Sequence, residues 1–374
     1  MHTEDNKAGL LRALEEIAPL VRRQAAEAEQ SAALSQEVVG QLVREGLFRL
    51  WIPRRYGGFE LSLPAALEVY QAAARIDGSF GWAVMIGAGG GLFAAFLGPE
   101  AAREIFGPAP AVIAGSGTPE GRAERVPGGY RVSGQWRYAS GAPYATTFTA
   151  NCVVTRGGEP EQDAVGQPLI RAMAFALDDV RILATWNPVG MRGTASHDFR
   201  VEDAFVPERH SFSLATPPFE PGPLYRLPFM VLTELPLSAV ALGIMQHALD
   251  AFAATPADDP MIHSTFARAH ASWRLAQSGV TTLAERTWSA AMAGRELTVL
   301  ERADITATCV QSVSSLRRAA DELAALAGMS AIRQASDLSR AWRDLITLAA
   351  HFSVSPRQLA AAGSGLLNGA PGRS

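Results

Sequence analysis

Cysteine is nearly absent: Cys152 and Cys309 are the only two in 374 residues. Two thiols cannot build the disulfide lattice of a small secreted scaffold, and a zinc site needs clustered ligands. The seven histidines do not supply such a cluster. No His-Glu-x-x-His occurs, and no histidine stands at metal-ligand spacing from another or from a cysteine. No metal is expected. An excess of positive charge is missing too. The 33 Lys and Arg against 37 Asp and Glu leave a net charge of −4. Such a chain has no basic surplus with which to neutralise phosphates, so nucleic acid is not an expected partner.

Membrane and targeting signals are equally scarce. Met1 to Gly9 is polar, carries both charges and has no apolar signal core. The longest uncharged run, Gly78–Pro99, is rich in glycine and flanked by Asp77 and Glu100 rather than by Lys or Arg. A buried helix is the simpler reading than a membrane span. The expectation is a cytoplasmic protein with no membrane association. The Walker loop, the GxSxG elbow and the kinase signatures are all missing. Gly87-Ala88-Gly89-Gly90-Gly91-Leu92 begins like a dinucleotide fingerprint and then departs from it inside a helical pattern, which points to close helix packing. The paired carboxylates Asp178-Asp179 and Asp258-Asp259 fall in predicted turns.

Apolar residues make up 48% of the chain and charged residues 19%. That excludes a disordered protein, and the length suits two or three domains or one large multi-layer subunit. Leu10, Leu11, Leu14, Ile17, Leu20 and Val21 recur at helical spacing. Ser35 reads as the N-cap of a second helix that Gly46 closes, and Pro64 suits the first turn of a third, through Ile76. Phe80–Leu97 reads as a buried helix, and Pro99 opens a short one ending near Gly107. After Pro108 the pattern becomes short and alternating. Gly128-Gly129 marks a turn before Tyr130-Arg131-Val132, and further strands are expected at Gln135–Ala139, Thr146–Thr155, Arg171–Leu177 and Asp198–Val206, with a polar loop over Gly157–Gln167. Beyond Pro217–Pro223, four long helices are expected at Leu227–Ala254, Pro260–Met292, Val299–Ala327 and Leu338–Phe352, the makings of an antiparallel bundle. The fold class is α+β, mainly α: an N-terminal helical domain over 1–110, a central β-barrel-like domain over 111–225 and a C-terminal four-helix bundle over 226–374.

Three segments are candidates for chemistry. Gly134-Gln135-Trp136-Arg137-Tyr138-Ala139-Ser140-Gly141 ends a predicted strand with a ring, a hydroxyl and a glycine, a set that suits a flat heterocycle as well as plain β packing. Gly190-Met191-Arg192-Gly193-Thr194-Ala195-Ser196 places small hydroxyls beside a cation before the strand Phe199–Val206, and suits a polar cofactor tail or an ordinary loop. Arg343-Asp344 precedes His351, a capping side chain or a base near neutrality.

In this order and on this layout, the three segments resemble the acyl-CoA dehydrogenase fold superfamily over nearly the whole chain, from about Leu11 to Gly369. The resemblance implies a flavin enclosed by the three parts. Tyr138, Ser140 and Gly141 match the positions lining the isoalloxazine, with the hydroxyl near N5, and Gly115 and Ser116 match the preceding flavin-contacting loop. Acyl-CoA dehydrogenases use a glutamate base. The stretch Leu345–Phe352 after Arg343-Asp344 has no carboxylate, and Glu234 falls at the alternative position some members use. The basic Phe-Gly segment of dehydrogenases is missing from 258–266. The pattern is closer to the flavin-dependent monooxygenases of the same fold, the oxygenase components of two-component systems such as 4-hydroxyphenylacetate and hydroxysteroid hydroxylases. Asp77-Gly78-Ser79-Phe80-Gly81-Trp82, Val189–Ser196 and Arg343-Asp344 with Ala350-His351 carry that likeness. Some of these hydroxylases carry an Asp four residues after the His, where this chain has Ser355.

The resemblance implies reduced FMN or FAD supplied by a separate flavin reductase, O2 as co-substrate added at flavin C4a, a small organic substrate and a homotetramer. Ser140 and His351 become the catalytic candidates and Trp82 a wall of the substrate pocket. Arg192, Thr194 and Ser196 become cofactor-binding candidates. Two alternatives stay open, an acyl-CoA dehydrogenase with FAD and Glu234 as base, and a flavin-free scaffold relative.

Overall fold

The computed structural model describes residues 2–254 and 259–369; Asp258 and the last five residues of the expected bundle domain lie outside them. Local capping chemistry starts most N-terminal helices where the side chains dictate. Helix α1 (His2–Ser31) buries Leu10, Leu14, Ile17 and Val21 along one stripe. The Ser35 side chain accepts a hydrogen bond from the Val38 N–H at the start of α2 (Gln36–Arg44), and Gly46 leaves it at φ 70°. Ser62 caps α3 (Leu63–Ile76), with Pro64 in its first turn, and Asp77 caps α4 (Gly78–Gly89) through the Phe80 N–H.

The expected helix over Phe80–Leu97 breaks in two. After Gly89 the chain tightens into a 3-10 turn, Gly90–Ala95. Side chains would not fit there: a Cβ on Gly90 would stand 2.6 Å from Ile113 and one on Gly91 2.7 Å from Ile52. The short helix α5 (Pro99–Phe106) follows.

Eight strands then form one sheet: β1 (Ile113–Val126), β2 (Gly129–Ala139), β3 (Thr147–Arg156), β4 (Glu159–Pro160), β5 (Ile170–Phe175), β6 (Arg181–Leu183), β7 (His197–Pro207) and β8 (Ser211–Phe212). The order is β6-β7-β2-β1-β3-β5-β8, with β4 beside β3. The β1–β3 pair is parallel and the other pairs are antiparallel. The ladder does not close, yet the sheet curls around its own aromatic core. Phe148 on β3 meets Phe199 on β7 at 5.0 Å, and Trp136 on β2 meets Phe175 on β5 at 5.8 Å.

The C-terminal helices are α6 (Val231–Ala253), α7 (Pro260–Met292), α8 (Val299–Ala327), the short α9 (Met329–Ile332), α10 (Asp337–Ala349) and α11 (Leu359–Asn368). Thr298 and Glu301 form a reciprocal capping box on α8. Helix α6 starts four residues later than its periodicity suggests. Helix α10 stops before His351, which caps a 3-10 turn over Phe352–Val354 instead of ending the helix.

The segments Gly78–Ala95 and Val231–Ala253 are long and apolar enough to cross a membrane, but each is 78% buried inside the protein. One continuous hydrophobic core joins α1–α4 to α6, α7, α8 and α10, and the sheet has a second of its own. The seam between these two cores is where the candidate residues gather.

Candidate active site

Strand β2 delivers Ser140 to the seam by an irregular ending. The β2–β7 register slips between Trp136 and Ala139, and Tyr138 sits at φ 67°. A bulge with a left-handed residue turns the chain and re-aims its side chains. Tyr138 is swung outward and stays 63% exposed, edge-on to Trp186 at 6.1 Å. Ser140 is carried inward and is buried. Gly141 follows at φ 77°, its N–H bonded to the Thr194 carbonyl at 2.9 Å.

The Ser140 hydroxyl is the centre of a polar chain. It accepts the indole Nε1–H of Trp82 at 2.9 Å and lies 2.7 Å from Ser196 Oγ. Ser196 Oγ in turn lies 2.7 Å from Thr194 Oγ1, which donates to the Met191 carbonyl at 2.9 Å. On the other side, Trp82 packs edge-on against the His351 ring at 5.7 Å. One tryptophan from α4 therefore touches both the strand-end hydroxyl and the imidazole beyond α10. Ser140 and Gly141 border a small apolar cleft whose other walls include Ala83, Ile86, Gly87, Val112 and Tyr144.

His351 is half-buried, and burial lowers its pKa from the ordinary histidine value. Its Nδ1 accepts the Ser353 N–H at 3.3 Å. A neutral imidazole whose Nδ1 accepts carries its proton on Nε2. The ring therefore offers an N–H donor from its other edge. Ser355, at the position of the hydroxylase aspartate, caps the next turn by accepting from the Arg357 N–H at 3.4 Å.

The segment 189–196 is held by three helices. Met191 N–H bonds Asp344 Oδ1 at 2.5 Å, and Gly190 N–H bonds Thr347 Oγ1 at 3.0 Å. Gly190 is packed so closely that a Cβ would come within 2.1 Å of the Arg343 carbonyl. Arg343 pairs with Glu29 of α1 and donates to the Val189 carbonyl, while Arg340 reaches Asp77 at 3.5 Å. Asp344 is fully buried, and desolvation together with the nearby Asp77 charge raises its pKa. Its Oδ2 has no hydrogen-bond partner.

The Arg192 guanidinium is directed to the Glu29 carbonyl, Asn187 Oδ1 and the Pro188 carbonyl. Gly115 and Ser116 lie on β1 opposite Thr149 and Ala150 of β3, on the same strand as the cleft residue Ile113. Glu234, on α6, is buried. Thr306 donates to its Oε1 at 2.9 Å, its Oε2 has no partner, and burial lifts its pKa to about 7. Among the described residues no group of three or more His, Cys, Asp or Glu is placed to hold a metal.

Two contributors had no clear sequence signal. Trp186 stands next to Tyr138 and donates to the Met191 carbonyl at 3.0 Å, but its surroundings read as an unpatterned loop. Thr347 is one helical turn from Arg343, and only the docked glycine reveals its role.

Residues 12–111 match the family model described as "Acyl-CoA dehydrogenase, N-terminal domain", and residues 236–356 match "Acyl-CoA dehydrogenase, C-terminal domain". With the fold, these matches define the class, the acyl-CoA dehydrogenase superfamily. The chain is 30% identical to an indole-3-acetate monooxygenase of Pseudomonas putida over 88% of its length and 86% of that protein's. It is 28% identical to the flavin-dependent monooxygenase oxygenase subunit HsaA of Rhodococcus jostii, covering 92% of this chain and 94% of that one. XiaF from Streptomyces, solved in complex with FADH2 and glycerol, superimposes with a TM-score of 0.88 at 26% identity, over 98% and 97% of the two chains. The chain belongs to the flavin-dependent monooxygenase branch of the superfamily.

The site fits a flavin on its own geometry. Tyr138 leaves an aromatic face open at the strand end, while the large aromatic side chains of the sheet core, Trp136, Tyr130, Phe148 and Phe199, are fully buried. Beside it, the Ser140 hydroxyl makes two hydrogen bonds within the protein, to Trp82 Nε1–H and Ser196 Oγ, which leaves one of its three hydrogen-bonding positions for a ligand.

Proposed function

We propose that reduced flavin, FMN or FAD, binds with its ring system against Tyr138 and N5 at Ser140, and that Trp82 and His351 bound the substrate side. In this reading the chain is the oxygenase component of a two-component system and hydroxylates a small aromatic substrate of the indole or phenol kind. The single observation that carries it is the double contact of Trp82, which joins the Ser140 hydroxyl at 2.9 Å to the His351 ring at 5.7 Å. The flavin supplies the electrons and the carbon at which O2 is activated. The protein's residues do the rest. Ser140 holds the N5 edge in register. The cleft walls Ala83, Ile86 and Val112 exclude water, which otherwise diverts reduced flavin and oxygen to free peroxide.

His351 acts as a donor. Burial keeps it neutral and Ser353 fixes its Nδ1 as an acceptor, so Nε2–H stabilises negative charge on an oxygen within its reach. No carboxylate backs the ring where Ser355 stands, which argues against phenol deprotonation by a His–Asp pair. Gly115, Ser116, Arg192, Thr194 and Ser196 complete the cofactor-facing shell, with Arg192 acting through the loop that it ties to Glu29.

A separate flavin reductase is the implied partner, and the cytoplasm, where reduced pyridine nucleotide is available, is the implied location. A homotetramer is the implied assembly. It would cover apolar side chains that α7 leaves open, Met261, Leu275 and Met292 among them.

The test is reconstitution with an NADH-dependent flavin reductase under 18O2, with indole-3-acetate and simple phenols as substrates. The expected result is a product carrying one 18O atom, lost in His351→Ala. Anaerobic reduction of a bound flavin by an acyl-CoA, abolished in Glu234→Gln, would overturn the reading in favour of a dehydrogenase.

A further inference from the structure

Polarity in a hydrogen-bond chain is fixed when its ends are fixed. Here both ends are. The Trp82 indole nitrogen can only donate, and the Met191 carbonyl can only accept. Between them lie three hydroxyls, Ser140, Ser196 and Thr194, each with one proton, and three links that each need one. When all three links are made, Thr194 spends its proton on the Met191 carbonyl, which also accepts the Trp186 indole N–H at 3.0 Å and the Thr194 N–H at 3.2 Å. Ser196 must then donate to Thr194, and Ser140 to Ser196. One arrangement satisfies every link, and the three hydroxyls are buried, where an unmade hydrogen bond is costly.

The consequence falls on Ser140. Its proton is turned inward, away from any ligand at the strand end, and what it presents outward is a lone pair. Reduced flavin carries a hydrogen on N5 and can donate to that lone pair. Oxidised flavin has only a lone pair on N5, which would face another. Resting on the flavin reading above, we infer that Thr194 and Ser196 are positioning residues that set the direction of the Ser140 hydroxyl and so make the site select reduced over oxidised flavin. Neither needs to touch the cofactor to do this. Thr194 is itself anchored, bridging to Ala33 behind α1, next to Gly193, whose absent side chain lets Ser79 come close.

The measurement is a pair of dissociation constants for the same flavin, oxidised in air and reduced under anaerobic conditions, on wild type and three variants. Wild type should bind the reduced form more tightly. Ser196→Ala and Thr194→Val each release the Ser140 proton to point outward, so oxidised flavin gains and reduced flavin loses. The ratio of the two constants should shrink by roughly tenfold in both, the weight of about one hydrogen bond. Thr194→Ser keeps the hydroxyl and should keep the wild-type ratio. A merely structural role would weaken both forms in parallel and leave the ratio alone. That result, or a Thr194→Ser variant that behaves like Thr194→Val, overturns the inference while the binding site stands. Failure of wild type to bind either form, with Ser140→Ala no different, overturns the site and the inference together.

Discussion

His351 is half-buried and Glu234 buried, and desolvation moves them in opposite directions because it disfavours charge in each. For His351 the imidazolium is disfavoured, so the neutral donor form persists below the ordinary value of 6.5. Product formation should therefore hold across neutral pH and fail only on an acid limb below 6.5, measured as coupled product per oxygen consumed. His351→Ala should consume oxygen and release peroxide at every pH; a variant that stays coupled would contradict the donor role. For Glu234 the carboxylate is disfavoured. The folded chain keeps this proton up to about pH 7, whereas an unfolded glutamate loses it near 4.5. Between those values the folded state binds more protons, so stability falls as pH rises. Glu234→Gln removes that loss and should stabilise the protein by up to roughly 3 kcal/mol at pH 8 and by little at pH 4. Denaturant melts of the two proteins at both pH values check this, and a pH-independent gap would contradict it.

Helix α10 and the loop 189–196 work as one element. Asp344 and Thr347 accept the two loop N–H groups, and Gly190 allows the backbone of one to lie on the other. Asp344→Ala leaves the Met191 N–H buried without an acceptor, which costs about 1–3 kcal/mol. Asp344→Asn keeps a carbonyl oxygen for that N–H and, with the native acid biased toward its neutral form, should be far milder. Gly190→Ala drives a Cβ into the Arg343 carbonyl and should undock the loop, lowering flavin affinity along with stability. Equal behaviour of Asp344→Ala and Asp344→Asn in thermal melts and flavin titrations would contradict this account of the junction.

At the scale of the whole molecule, two hydrophobic cores meet at one seam, and the proposed site lies along that seam. Much of this architecture was legible in the sequence. Ser35 and Pro64 announce helix starts chemically, and the long helices α7 and α8 carry uninterrupted periodicity from Pro260 to Met292 and from Val299 to Ala327. The short edge strands β4, β6 and β8 were not legible, because two or three residues carry no period. Helix α11 was hidden by its alanines and glycines, which mark no face. The identities of Tyr138, Ser140, Trp82 and His351 as candidates came from resemblance. Their mutual contacts came only from tertiary packing that brings α4, β2 and the turn after α10 together. If the exposed residues of α7 are covered by other copies, light scattering should give a tetramer of the 39.7 kDa chain, and Leu275→Glu should reduce it; a monomeric wild type would contradict that assembly.

The decisive measurement is the structure of the protein crystallised anaerobically with reduced flavin. N5 should lie within about 3 Å of Ser140 Oγ, a hydrogen-bond distance, with the ring against Tyr138 and His351 facing it from beyond Trp82. A ring system bound elsewhere, or one whose N5 has no contact with Ser140, would contradict the account.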